Sequence, residues 1–552
     1  MKDIRAAYIT PEIGISHLDY YFPMTYSGGL GYLGHSFARS AHCLGLPLAI
    51  VSMLPRDGYY HQEIEGDQMV ARYALQDFEG LLEEVTTLTI QICHNPYVHV
   101  RVWKVPDRYE MGSVFLLDTD IPENDGMSRM NTRQLYGGSR ITGRNMDRMI
   151  AQSVVLGKGA VALMRYLNAP VEKFHVNESH GFFVPIALIE EAMAKGMSTD
   201  RAIAYARART VFTTHTPIGA GNPVYKFTPT YDGIRGIVVM GGIKDSALWD
   251  YLYHIGGGEE FNTTAACLSM ASYANAVSKK HLETAKRQWS WVQGAAPLIA
   301  ITNGVDPSYW QPEEFRNAGT AQELQEAKCV NVRLLLNYIR DETGRYWHEN
   351  IPIIVWARRF AEYKRPELIT ADERWFNRMM KTNRFQLIMA GRPHPDDFER
   401  IHAWNRLYRK SLGYHNMVVL PNYDMRMSRI LKTGAHVWLN NPRVPEEACG
   451  TSWEGAGFVG ALNASTPDGG IAELDPEHYV RFGTSFSTAH YEQDARDAQG
   501  QRMAIGRICR MWRRNQNEWW EKALNARDEI VSHFNSDSMV RKYWTELYGF
   551  AK

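Results

Sequence analysis

The chain has 552 residues, 45% apolar and 22% charged, with 61 basic and 61 acidic side chains in balance. That length predicts two large domains rather than one. The zero net charge and short basic runs exclude a nucleic-acid footprint, and no apolar run approaches the ~20 residues of a membrane-spanning helix. The six cysteines (43, 93, 267, 329, 449 and 509) are scattered without a C-x-x-C pair, as expected of free thiols in the cytoplasm rather than a disulfide or zinc framework. The first residues run straight into a strand pattern, which does not read as a secretory signal.

Short apolar strands alternate with helical patterns from the start. Strands are expected at 4–10, 47–53, 98–103, 113–118, 173–177, 210–214 and 298–302. A charged helical stretch near 315–346 interrupts the series. It resumes at 351–356, 385–390, 417–420 and 435–439. Such alternation predicts an α/β fold of two doubly wound parallel sheets, with ligands in a cleft at the carboxyl ends of the strands.

Polar clusters fall at those ends. Tyr26-Ser-Gly-Gly-Leu-Gly-Tyr32 precedes a helix; its glycines allow backbone N–H groups close to a phosphate. Asn177-Glu-Ser-His180 and Thr213-Thr-His-Thr-Pro217 end successive strands of the first half. Two such clusters on one sheet point to a site where either alone reads as structural. In the second half, Arg358, Arg359, Lys364 and Arg365 follow a strand within eight residues; Arg359 and Lys364 are the candidates for a phosphate. The stretch from Asn441 to Asn463 carries Glu446 and Glu447, then a Gly450-Thr-Ser turn and a helix start. Carboxylates there suit sugar hydroxyls, and a helix start suits an anion. Tyr20-Tyr21 and Tyr59-Tyr60 are candidates for a saccharide path, with plain exposed or core tyrosines the weightier reading.

These motifs are colinear with a family. From about Ala6 to Tyr548 the chain resembles the short bacterial and archaeal α-glucan (glycogen) phosphorylases. The resemblance is carried by YSGGLGYL (26–33), LLDTDIPEND (116–125), LYGG (135–138), HVNESH (175–180), FTTHTPIGAGN (212–222), VSKKH (277–281), TNGVDPSYW (302–310), ARRFAEYKR (357–365), NYDM (422–425), VWLNNPR (437–443), EACGTS (447–452) and DSMVRKYW (537–544). It implies the GT-B fold: Rossmann-like domains at 1–310 and 311–525, a deep cleft, and a helix at 526–552 crossing back to the first domain. It places Gly28, Gly29 and Gly31 at the reacting phosphate, with Arg359 and Lys364 as its cations. His215 and Asn303 fall at the glucosyl 6-hydroxyl and Glu447 at the 3-hydroxyl. The backbone after Glu447, at Cys449 and Gly450, supplies further donors.

One departure matters more than the matches. The family's pyridoxal phosphate lysine follows the EACGTS segment in a Met-Lys pair; counted from Glu447, its equivalents are Glu454 and Gly455. Gly460, Leu462-Asn463, Ser465 and Asp468-Gly469 stay in register, and no lysine lies between Lys432 and Lys522. Glycine forms no imine, so no covalently bound pyridoxal phosphate and no other cofactor or metal is expected. The resemblance then implies a retaining hexosyltransferase that takes a nucleotide sugar such as UDP- or ADP-glucose and passes glucose to an oligosaccharide or α-glucan. In that reading Glu454 and Tyr423 hold the nucleotide. Two alternatives stay open: a phosphorylase releasing glucose 1-phosphate without covalent cofactor, and a catalytically silent glucan-binding protein. Neither nucleic acid nor membrane is an expected partner, and homo-oligomeric assembly stays open.

Overall fold

The computed structural model describes residues 3–551 apart from 21–24, 94, 138–144, 230–234 and 487; Tyr21 and Gly138 of the sequence motifs lie outside these. Two sheets organise the chain. The first has nine strands in the order Leu298–Ala300, Tyr273–Ala276, Thr210–Thr213, Lys173–Asn177, Ala6–Ile9, Leu48–Met53, Ser113–Asp118, Asn95–Lys104, Glu83–Ile92. The first seven run parallel, and the last two close the edge as an antiparallel pair. The parallel expectation therefore holds for the body of the sheet and fails at that edge. There Glu83–Ile92 is exposed or half-buried over most of its length and buries only Ile90 and Ile92, as an edge strand of an antiparallel pair can.

The second sheet is ordered Met417–Leu420, Gln386–Ala390, Ile353–Ala357, Val437–Asn440, Leu462–Ser465, Val480–Arg481, and its paired strands are parallel. All of its strands but the edge strand Val480–Arg481 are buried on both sides, as in Ile353–Ala357, which is what continuous apolar runs such as Ile-Ile-Val-Trp-Ala dictate. Each sheet has its order reversed about one strand. Ala6–Ile9 has Leu48–Met53 on one side and Lys173–Asn177 on the other; Ile353–Ala357 has Gln386–Ala390 and Val437–Asn440. These are the two switch points where a doubly wound sheet opens a crevice for ligand. The loops leaving them carry Glu12 with the glycine segment, and Arg358 to Lys364.

The helix Ala321–Thr343 joins the halves, opened by a capping box of Thr320 and Glu323 and stopped by Gly344 at φ +69°. The return to the first domain comes later than residue 526. Helix Gln516–His533 still packs Trp519, Trp520, Ala523 and Ala526 into the second domain's core. The crossing is at Asn535–Ser536, where Val305 N–H donates to Phe534 O and Ser536 N–H donates to Val305 O, each at 3.0 Å. Gly304 makes this passage possible, since a Cβ there would meet the Asn535 carbonyl at 2.5 Å. Helix Ser536–Lys542 and the turns after it then bury Met539, Tyr543, Trp544 and Leu547 against the first sheet. No helix among the described residues is long and apolar enough to cross a membrane.

Candidate active site

A cleft of about 1280 Å³ lies between the two switch points, larger than the ~300–1,000 Å³ of most small-molecule sites. It brings together Gly28, Gly29, His215, Asn303, Arg359, Lys364, Tyr423, Glu447, Cys449 and Gly450 from nearly the whole length of the chain.

The glycine segment is set by a residue that pattern reading passed over. Glu12, just after the first strand, is buried and accepts from Ser27 N–H (2.6 Å) and Gly31 N–H (3.0 Å). Gly31 therefore does not offer its N–H to a phosphate as expected. It is glycine because a Cβ would strike Tyr26 at 2.5 Å. Gly28 and Gly29 line the cleft where the fifteen-residue helix Gly29–Cys43 begins, with open space where side chains would stand. The helix N-terminus and its unused N–H groups face the cleft there. Glu12's strand-end position is the one sequence signal that pointed to it.

At the ends of the adjoining strands, His215 Nε2 lies 2.7 Å from Asn177 Oδ1, while Asn177 Nδ2 donates to Thr10 Oγ1. That amide orientation makes Nε2 the protonated nitrogen and leaves Nδ1 as an acceptor for a hydroxyl. Burial pushes the imidazole's pKa down to about 3, so it stays neutral at physiological pH. Glu178 accepts from His215 N–H (2.7 Å) and Thr216 Oγ1 (3.2 Å); its Oε2 has no partner among the described residues, and burial raises its pKa to about 7. Its φ of +70° is a conformation that a non-glycine residue holds only under constraint. Asn303 is buried, and its Oδ1 has no partner among the described residues.

The second switch loop supplies the cations. Arg359 is exposed into the cleft, has no carboxylate within ion-pair distance among the described residues, and is ringed by Tyr363, Tyr59, Glu12 and Tyr136. Burial works against its charge, but these neighbours prevail and raise its pKa. Lys364 and Glu447 form a buried ion pair, with Arg358 Nη1 3.5 Å from the same carboxylate. Burial lowers the Lys364 pKa to about 7 even with Glu447 opposing. Burial would raise Glu447, but Lys364 and then Arg358 hold it below its usual value. Arg358, absent from the expected phosphate ligands, donates to Asn440 Oδ1 at 2.6 Å and ties the loop to the next strand. Arg365 is structural, paired with Asp494 and Asp497. Tyr59 and Tyr60 are buried in the second domain's core, as core tyrosines.

Glu447 leads into Gly450, at φ +83°, where a Cβ would press on the Glu447 side chain at 3.2 Å. The N–H groups of Cys449 and Gly450 make no hydrogen bond among the described residues. Cys449 turns its thiol inward, 3.3 Å from Glu454 Oε1, so only its backbone can meet a sugar. Glu454 does not reach the cleft as expected for a ribose ligand: it is fully buried, with Oε2 unpartnered among the described residues. Tyr423 does line the cleft. The helix start here is six residues long, Ser452–Gly457.

No family model matches the chain. It is 33% identical over 531 residues to an uncharacterized protein of Methanocaldococcus jannaschii, covering 95% of this chain and 96% of that one. It is also 30% identical to a maltodextrin phosphorylase of Thermococcus litoralis, covering 99% of this chain and 70% of that one. The chain belongs to the glycogen phosphorylase family. With the glycogen phosphorylase of Aquifex aeolicus it shares 27% identity, over 98% of this chain and 85% of the relative. The fold agrees: two Rossmann-like domains facing a cleft with a terminal helix crossing back make a GT-B phosphorylase-like architecture, that of a glycosyltransferase-type enzyme.

Proposed function

We propose that this chain is a retaining hexosyltransferase acting on α-glucans, which takes glucose from a nucleotide sugar such as UDP- or ADP-glucose and works without pyridoxal phosphate. The observation that carries the reading lies at residue 455. Pyridoxal phosphate in this family calls for an amine there, and glycine has none. The space a side chain would enter is filled instead: Lys432 Nζ lies 3.3 Å from where a Gly455 Cβ would stand. Beside it is the buried carboxyl of Glu454, a poor neighbour for a phosphate dianion. These residues do not fit an imine from position 455.

The front of the cleft supports hexosyl transfer. His215 Nδ1 and Asn303 hold the 6-hydroxyl. The Cys449 and Gly450 N–H groups and Glu447 meet the far side of the ring. Arg359, Lys364 and the Gly28–Gly29 N–H groups take the charge that develops on the leaving phosphate, where preorganised donors act most strongly. The departing phosphate takes the acceptor's proton on the same face, so configuration is retained. The cleft's size leaves room for donor and saccharide acceptor together.

A donor screen tests this. UDP- or ADP-glucose raises the melting temperature, and maltoheptaose then releases the nucleoside diphosphate as the chain is extended. Glucose 1-phosphate formed from maltoheptaose and phosphate, with no response to any nucleotide sugar, replaces this reading with phosphorolysis; a pyridoxal absorbance band overturns its cofactor-free part. Glucan binding without turnover of any donor makes the protein a silent binder.

A further inference from the structure

The peptides of the loop after Glu447 are held from two different domains. A trans peptide sets its C=O and the next residue's N–H in opposite directions, so whatever holds the carbonyl aims the N–H. The Cys449 carbonyl accepts from Gly470 N–H at 3.0 Å and from Trp453 Nε1–H at 3.2 Å. Both donors belong to the second domain, and they fix the N–H of Gly450. Glu447 N–H is itself taken by Asp468 Oδ2 at 2.8 Å. The peptide between Ala448 and Cys449 differs. Its carbonyl accepts from Ser278 Oγ–H at 2.6 Å, 170 residues away on the first domain. That bond turns the N–H of Cys449 away from Ser278. Cys449 lines the cleft and buries its thiol, so this N–H is the polar atom it has to offer there.

Ser278 follows strand Tyr273–Ala276, at the carboxyl end where the first sheet meets the cleft, and it is fully buried. A hydroxyl has one proton and two lone pairs. As N-cap of helix Lys279–Gln288 it accepts from His281 N–H at 3.0 Å, which uses a lone pair and leaves the proton for Ala448. Val277, just before it, packs on Ala448 and Cys449, and the Val277 carbonyl accepts from Asn303 N–H at 3.1 Å. Beside this contact Lys279 N–H and Thr302 Oγ1 both donate to Glu473, at 2.8 and 2.9 Å. The dipeptide Val277-Ser278 therefore braces two parts of the front at once, Asn303 in its own domain and the Cys449 peptide in the other. Helix capping alone would account for a serine at 278. It does not account for a donated bond that crosses the domain boundary to a carbonyl of this loop.

We infer that Ser278 is a positioning residue for hexose binding, which from the first domain aims the Cys449 N–H of the second domain at the sugar ring. The role rests on the proposed reading of the front as a hexosyl site, whichever donor delivers the sugar. It makes the sugar site a product of both domains, because one of the two N–H groups after Glu447 is set only while Ser278 holds Ala448.

Calorimetry on the full chain tests it, with glucose 1-phosphate and inorganic phosphate titrated into the wild type, Ser278→Gly and Ser278→Ala. The ratio of the two affinities reads the hexose contacts apart from the phosphate contacts. Glycine is nearly as good an N-cap as serine and alanine is not, so the two variants separate capping from donation. The wild type should prefer glucose 1-phosphate. Both variants should lose about three- to tenfold of that preference, the scale of one hydrogen bond, with phosphate affinity unchanged. Ser278→Gly matching the wild type while Ser278→Ala falls overturns the inference and leaves the residue a helix cap. A parallel loss of phosphate affinity in both variants also overturns it, as a general distortion of the cleft. A wild type with no preference for glucose 1-phosphate ends the hexosyl reading and the Ser278 role together, whereas a preference undiminished in both variants ends the Ser278 role alone.

Discussion

Lys364 and Lys432 are both buried lysines on the edge of one cleft, and their surroundings differ in kind. Lys364 is in contact with the Glu447 carboxylate, beside Arg358 and within reach of Arg359. Lys432 rests on the Trp310 ring with one hydroxyl for a partner. The first has a carboxylate in contact and a second cation beside it. The second lies among aromatic rings, with no carboxylate within ion-pair distance among the described residues. The front of the cleft gathers charged groups, Arg358, Arg359, Lys364 and Glu447, while the rear gathers the rings of Tyr32, Trp310 and Tyr423 around one amine.

The comparison is broken most directly at Arg359, a cleft cation without an ion-pair partner among the described residues. Arg359→Ala should lower hexosyl transfer by about 10²–10³-fold, the scale for removing one preorganised donor, with melting temperature nearly unchanged. Steady-state kinetics with the best donor checks it. A large loss of stability with normal turnover would move Arg359 to a structural role.

Glu447 should behave in the reverse way. Glu447→Ala leaves Lys364 and Arg358 buried without their shared carboxylate, and breaking a buried pair from one side typically destabilises by about 3–5 kcal/mol. Denaturant unfolding should show that loss, and Lys364→Met in the same background should recover part of it. A cost under about 1 kcal/mol would mean that solvent in the cleft, rather than Glu447, stabilises the two cations.

Much of the front was legible in sequence because parallel strands are continuous apolar runs and their carboxyl ends are where polar clusters stand out. His215 and Arg359 stand out that way, whereas Asn303 is singled out only by the family resemblance. Glu12 was hidden because a lone carboxylate after a strand looks like any loop residue; its role comes from two N–H groups fifteen and nineteen residues further on. Gly31 looked like its neighbours, but packing against Tyr26 dictates it. The rear was legible only as a loss at position 455. Spacing along one helix cannot show that an amine from another helix, twenty-three residues earlier, fills the same space.

That exchange predicts energetic coupling. Alanine is the better helix former by about 1 kcal/mol, yet a Cβ at 455 would meet Lys432 at 3.3 Å. Gly455→Ala should therefore be more favourable in a Lys432→Ala background than in the wild type. Contacting residues couple by about 0.5–3 kcal/mol, and a double-mutant cycle in urea should return a value near the lower end. Additivity would show that the two positions do not share space.

The smallest expected effect is a pH dependence that belongs to the front alone. The folded Lys364 has a pKa of about 7, because burial disfavours its ammonium more than Glu447 restores it. Only the charged form attracts an anion, so affinity is greatest below pH 7 and falls as pH rises through it. Sulfate is the suitable probe, since its own charge is constant across that range. Calorimetry between pH 6 and 8.5 should show affinity dropping several-fold, by at most about tenfold per pH unit for one proton. Lys364→Met should flatten the profile while binding weakly through Arg359, whose guanidinium does not titrate there. The same profile in Lys432→Met should match the wild type, because that amine belongs to the rear. If Lys432→Met flattened it instead, the two lysines would form one electrostatic site and the division between front and rear would fail.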